Sequence, residues 1–65
     1  MELNVSAIRL AMAEKEFNVA SLARAAGISP AALNLWLNHG TKPRMDKLGR
    51  LANTLGVPVT TIIKC

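Results

Sequence analysis

The chain has 65 residues, 51% apolar and 18% charged, with eight Lys or Arg against four Asp or Glu and a formal net charge of +4. Folding at this size removes only roughly 60% of the unfolded surface, which fits one domain spanning residues 1–65 and excludes a large enzyme with a deep substrate cavity. An ordinary apolar fraction with modest charge excludes a disordered segment, and a lone cysteine, Cys65, excludes a disulfide-stapled mini-protein.

Phe17 and Trp36 are the only aromatic residues, Ala and Leu abound, and strict two-residue alternation never persists, so the periodicity predicts an all-α fold. Asn4 is a candidate N-cap, and Val5, Ile8, Ala11 and Met12 follow helical spacing toward a charged end at Glu14-Lys15-Glu16. Asn18 offers a second cap to a short helix with Leu22, Ala23 and Ala26 on one face. Gly27, which reaches the left-handed region without a Cβ clash, ends it.

Ser29 and Pro30 restart the chain, one as a cap and the other with its ring pre-set for the first helical position. The third helix runs from Pro30 to about Asn38. Leu33, Trp36 and Leu37 form its inward stripe, and Ala31, Asn34, Leu35 and Asn38 fall on the other side. His39, Gly40 and Pro43 break the pattern. A fourth helix with Met45, Leu48, Leu51, Ala52 and Leu55 on one face stops at Gly56, and Val59, Ile62 and Ile63 make a last turn or two after Pro58. Trp36 lies one turn from Leu33 and is read as core.

Met1-Glu2-Leu3 lacks the basic start of a signal peptide and no stretch approaches the roughly 18 apolar residues of a membrane span, so the expectation is a cytoplasmic, non-membrane protein. One His, one Cys and scattered acids stand at no metal-ligand spacing, and Ser29 has no nearby base. The expectation is no metal, no cofactor and no catalysis.

Two helices joined through Gly27-Ile28-Ser29 within about twenty residues make a helix-turn-helix, in which Ile28 tucks under both helices and the second is pushed outward. Leu22-Ala23, Ala26-Gly27-Ile28-Ser29, Leu33, Trp36-Leu37-Asn38, Pro43, Leu48, Leu51-Ala52 and Leu55-Gly56-Val57 run through the chain in order. With this spacing the chain resembles the Cro and phage-repressor family of DNA-binding domains, also called Xre or lambda-repressor-like. The resemblance implies a five-helix fold with Leu22, Ala23, Gly27, Ile28, Leu33 and Trp36 as framework. It places Pro30, Ala31, Asn34 and Leu35 against bases, and Ser29 and Asn38 against the DNA backbone.

Many relatives carry Gln, Ser, Asn or Arg where Pro30, Ala31 and Leu35 stand, and Asn34 is the one amide left among the four. Small apolar groups meet the thymine methyl and Asn pairs with adenine, so the expected readout is thymine-rich, through Ala31 and Leu35 with Asn34 assisting. Residues 1–16 carry a net charge of −1 and residues 17–65 carry +5, which collects basic charge around the DNA-reading half. Phosphate contacts are expected from Asn18, Ser29, Asn38, Thr41, Lys42 and Arg44, with amides at the start of the fourth helix assisting.

Val57, Val59, Ile62 and Ile63 either close the small core or form the seam of a homodimer on a near-palindromic operator, and Cys65 lies beside them. The resulting expectation is a sequence-specific transcriptional regulator of double-stranded DNA, of the phage or mobile-element repressor type, that acts by occluding its operator. Two other readings remain open. One is an antitoxin-like interaction module docking through Ala31 and Leu35, and the other is the N-terminal DNA-binding module of a larger protein.

Overall fold

Three of the five helices start at side chains that accept from otherwise unpaired amides. The computed structural model describes residues 2–64. Helix α1 (Val5–Glu14) begins at Asn4, whose Oδ1 accepts from the Ala7 amide at 3.1 Å. At α2 (Val19–Ala26), Asn18 and Ser21 cap each other: Asn18 Oδ1 accepts from the Ser21 amide at 2.8 Å and Ser21 Oγ from the Asn18 amide at 2.9 Å. Ser29 caps α3 (Pro30–His39) by accepting from Ala32 N, with Pro30 in the first turn. Helix α4 (Met45–Leu55) follows Arg44 without any side-chain cap, and α5 (Val59–Ile62) follows Pro58. Among the described residues no helix is long and apolar enough to cross a membrane.

The apolar stripes of these helices meet in one core in which Ile8, Leu22, Leu33, Leu48, Leu51, Leu55 and Ile62 are fully buried. Helix α2 packs on both α3 and α4, while α5 joins α4 to α1. Trp36 lies in this core beside Leu33 and Leu37, as its spacing predicts.

Two expectations need correction. Ile63 does not continue the last helix. It opens a two-residue strand, β2 (Ile63–Lys64), that pairs antiparallel with β1 (Glu2–Leu3), Leu3 opposite Ile63 and Glu2 opposite Lys64. Asn4 N also donates to Ile62 O at 2.8 Å, so the ribbon ties together backbone groups that a frayed helix end would leave open. Strands this short carry no alternation from which a period could be read. Met45, counted on the inward face of the fourth helix, is 64% exposed, because at the first position of α4 it lies a turn short of Leu48, where the core begins.

Gly27 closes α2 in the left-handed conformation, φ 70° and ψ 36°, with its N–H turned back to Ala23 O and Arg24 O. A Cβ there would stand 3.1 Å from Nη1 of Arg50, the end of a flexible side chain that moves aside easily, so the backbone sets the penalty. Gly27→Ala is expected to lower the unfolding free energy by about 1–2 kcal/mol, the usual cost of left-handed backbone for an L-residue, measured by urea titration of the helical circular dichroism. Unchanged stability would mean the turn does not require glycine.

Candidate nucleic-acid interface

The α2–turn–α3 unit is fixed from both sides. Ile28 N donates to Ala23 O at 2.8 Å and the Ile28 side chain is buried, so the residue after the glycine anchors the turn to α2. Ser29, in extended backbone at φ −69° and ψ 140°, then launches α3 in a new direction. Leu33, Trp36 and Leu37 hold α3 down by burial.

Pro30, Ala31, Asn34, Leu35 and Asn38 are all exposed. Ala31, Asn34, Leu35 and Asn38 fall at i, i+3, i+4 and i+7, a single helical face, and Pro30 stands at its start. Leu35 is 47% exposed on that face, a large apolar side chain that no element of the chain covers among the described residues. A helix anchored on one side and bare on the other, with its caps satisfied, presents a rigid, mostly small and apolar surface with one amide pair on it.

Asn18 and Ser29 lie at the N-termini of α2 and α3 and are exposed. Each accepts a backbone N–H through its side-chain oxygen, which keeps the Asn18 Nδ2 amine and the Ser29 hydroxyl hydrogen as donors on exposed residues. Thr41, Lys42 and Arg44 are exposed in the segment between α3 and α4, and Thr41 and Lys42 also line an open groove of about 420 Å³ together with Glu2, Leu3 and Lys64 of the β-ribbon. With no side-chain cap at Arg44, the first amides of α4 remain available to an acceptor, and Asp46 is the one acid in that turn.

The apolar C-terminal residues divide. Ile62 is 0% exposed within the chain's own core, whereas Val57, Val59 and Ile63 are half-buried at its margin. Cys65 lies outside the described residues.

Two arginines join the site that sequence reasoning left out. Arg9, on α1 and counted with the acidic half, donates from Nη2 to Asn38 Oδ1 at 3.0 Å, and Asn38 Nδ2 donates in turn to Asn34 Oδ1 at 3.1 Å. Twenty-nine residues separate Arg9 from Asn38 in sequence, so no local pattern signals the contact. Arg50, on α4, places its guanidinium against Gly27 at the turn. Thr54 Oγ1 donates to the Arg50 backbone carbonyl at 2.8 Å, one turn along α4.

A family model of the Cro/C1-type helix-turn-helix DNA-binding domain matches residues 7–65. None of the curated proteins matches the chain.

Proposed function

The chain belongs to the Cro/C1-type helix-turn-helix DNA-binding family, and on that premise we propose that it is a sequence-specific regulator of transcription that acts as a phage-type repressor by covering its operator. Helix α3 enters the major groove. Ala31 and Leu35 meet thymine methyl groups, Pro30 closes against the groove wall at the helix start, and Asn34 supplies the polar contact to a base edge. Asn18, Ser29, Asn38, Thr41, Lys42 and Arg44 bind phosphates and set the register of α3.

The observation that carries this reading is the outer face of α3: exposed along its length, apolar at Leu35, and flanked by exposed N-terminal cap residues that keep donors of their own. Occlusion is the mechanism proposed because a domain seated in the major groove through α3 excludes other proteins from the same stretch of duplex. A second protomer is joined through the apolar margin of Val57, Val59 and Ile63, with Ile62 supporting them from the core, and the paired reading helices fall about 34 Å apart on a near-palindromic site.

Selection of bound sites from random duplex DNA is expected to return two similar half-sites rich in thymine. Lys47, half-buried in the first turn of α4, adds a third cation to Lys42 and Arg44, and phosphate contacts by these three from each of two protomers predict that affinity for the selected site drops roughly a thousandfold between 50 and 200 mM salt. An apolar docking face for a partner protein would show little of that dependence, and random DNA without an enriched site would remove the regulator reading.

A further inference from the structure

We propose that Arg9 is a positioning residue for base recognition: through Asn38 it fixes which end of the Asn34 amide is offered to the groove, and so makes Asn34 select bases whose major-groove edge offers hydrogen-bond acceptors and no donor. The inference rests on the reading of α3 as the groove helix and goes beyond it by naming what sets the polarity of its one amide contact.

A guanidinium has donors and no acceptor, so whatever atom of Asn38 meets Arg9 has to be the oxygen. Arg9 Nη2 and Asn38 Oδ1 stand 3.0 Å apart. With its oxygen committed, Asn38 turns its Nδ2 amine along α3 to the residue one turn earlier, and the atom that accepts there has to be the oxygen of Asn34, at 3.1 Å. The amine of Asn34 is therefore left on the outer side. Each link is forced by the one before it, and the chain of bonds begins at the one member that cannot reverse. Asn34 or Asn38 alone, as free amides, would present either end with similar ease.

The consequence falls on the base edge. Guanine shows N7 and O6, two adjacent acceptors, and thymine shows O4; cytosine shows a donor, and adenine shows one acceptor beside a donor. An outward amine with its partner oxygen held inward matches guanine or thymine. It gives up the paired donor-and-acceptor contact through which a freely rotating Asn recognises adenine.

The test uses the full chain and selected duplex sites. The position read by Asn34 is identified as the one whose preference disappears in Asn34→Ala. In the unaltered protein that position is expected to prefer guanine or thymine over adenine by about tenfold or more. Arg9→Met, which keeps a good helix former on an exposed site but removes the donor, is expected to bring the adenine ratio to within about twofold, while Arg9→Lys, which still offers donors alone, restores the preference. Because the readout is a ratio between two bases at one position, a general loss of stability or of phosphate affinity leaves it unmoved. Three results overturn the proposal while leaving DNA recognition by α3 intact: preference for adenine in the unaltered protein, a ratio unchanged by Arg9→Met, or no position that depends on Asn34. Absence of any selected site in the unaltered protein overturns both it and the regulator reading.

Discussion

Leu51→Ala is expected to bring folded and unfolded chains to comparable populations at 25 °C. Leu51 is completely buried on α4, the helix that packs against α2 and carries α5. Truncating a buried leucine removes its transfer free energy and leaves a cavity whose lining loses contacts, together about 2–5 kcal/mol. A single core in a chain of this length rarely supplies more than about 3–5 kcal/mol. The loss is thus of the same size as the whole stability, and repair by collapse is limited because Leu22, Leu48 and Leu55 of the same core are themselves fully buried. Helical circular dichroism at 25 °C and a urea titration measure it directly. The contrast is Leu10 on α1, which is 66% exposed: Leu10→Ala should change stability by less than about 0.5 kcal/mol. Equal behaviour of the two variants would mean that α4 does not sit where the burial pattern places it.

Local chemistry made the helices legible. Asn4, Asn18 and Ser29 are caps in sequence and in structure, and Gly27, Gly40 and Gly56 each follow a helix in left-handed backbone. These signals act within one turn of chain, where the residue types themselves decide the backbone. The inward stripe of α3 was equally plain, because a 3.6-residue period survives in ten residues.

What escaped has long-range causes. The ribbon between residues 2–3 and 63–64 exists because the two ends of the chain meet, and neither end carries a strand pattern of its own. Arg9 shows the same limit at the candidate interface. Its charge is visible in the sequence, but its partner lies on another helix, and only the folded placement of α1 relative to α3 brings the guanidinium to Asn38. Counting charge by halves of the chain therefore assigns Arg9 to the wrong side of the molecule. The sequence leaves the division among Val57, Val59, Ile62 and Ile63 open for a similar reason: hydrophobicity marks a residue for burial without saying whether its own chain or another provides the cover. For Ile62 the answer is its own chain.

Ala31→Asp is expected to abolish specific DNA binding, by at least about a hundredfold, while raising the melting temperature slightly. The two effects have opposite signs for separate physical reasons. Ala31 is the second residue of α3, whose first turn carries no acid. A carboxylate there faces the positive end of the helix dipole, worth about 0.3–1 kcal/mol to the folded state, and its site is exposed, so nothing must be displaced to hold it. Laid against duplex, the same carboxylate replaces a small apolar contact with a solvated anion, which has to shed water beside acceptor-rich base edges and two lines of phosphates. The loss of a single good base contact is about 1–3 kcal/mol, and the repulsion adds to it. Thermal denaturation followed by binding to the selected operator at fixed salt reads both quantities on one sample. A folding defect lowers both together, so the split identifies the surface of α3 rather than its stability as the seat of the effect. Full affinity for the operator in Ala31→Asp would place the outer face of α3 away from the groove and send the search for the reading surface elsewhere on the chain.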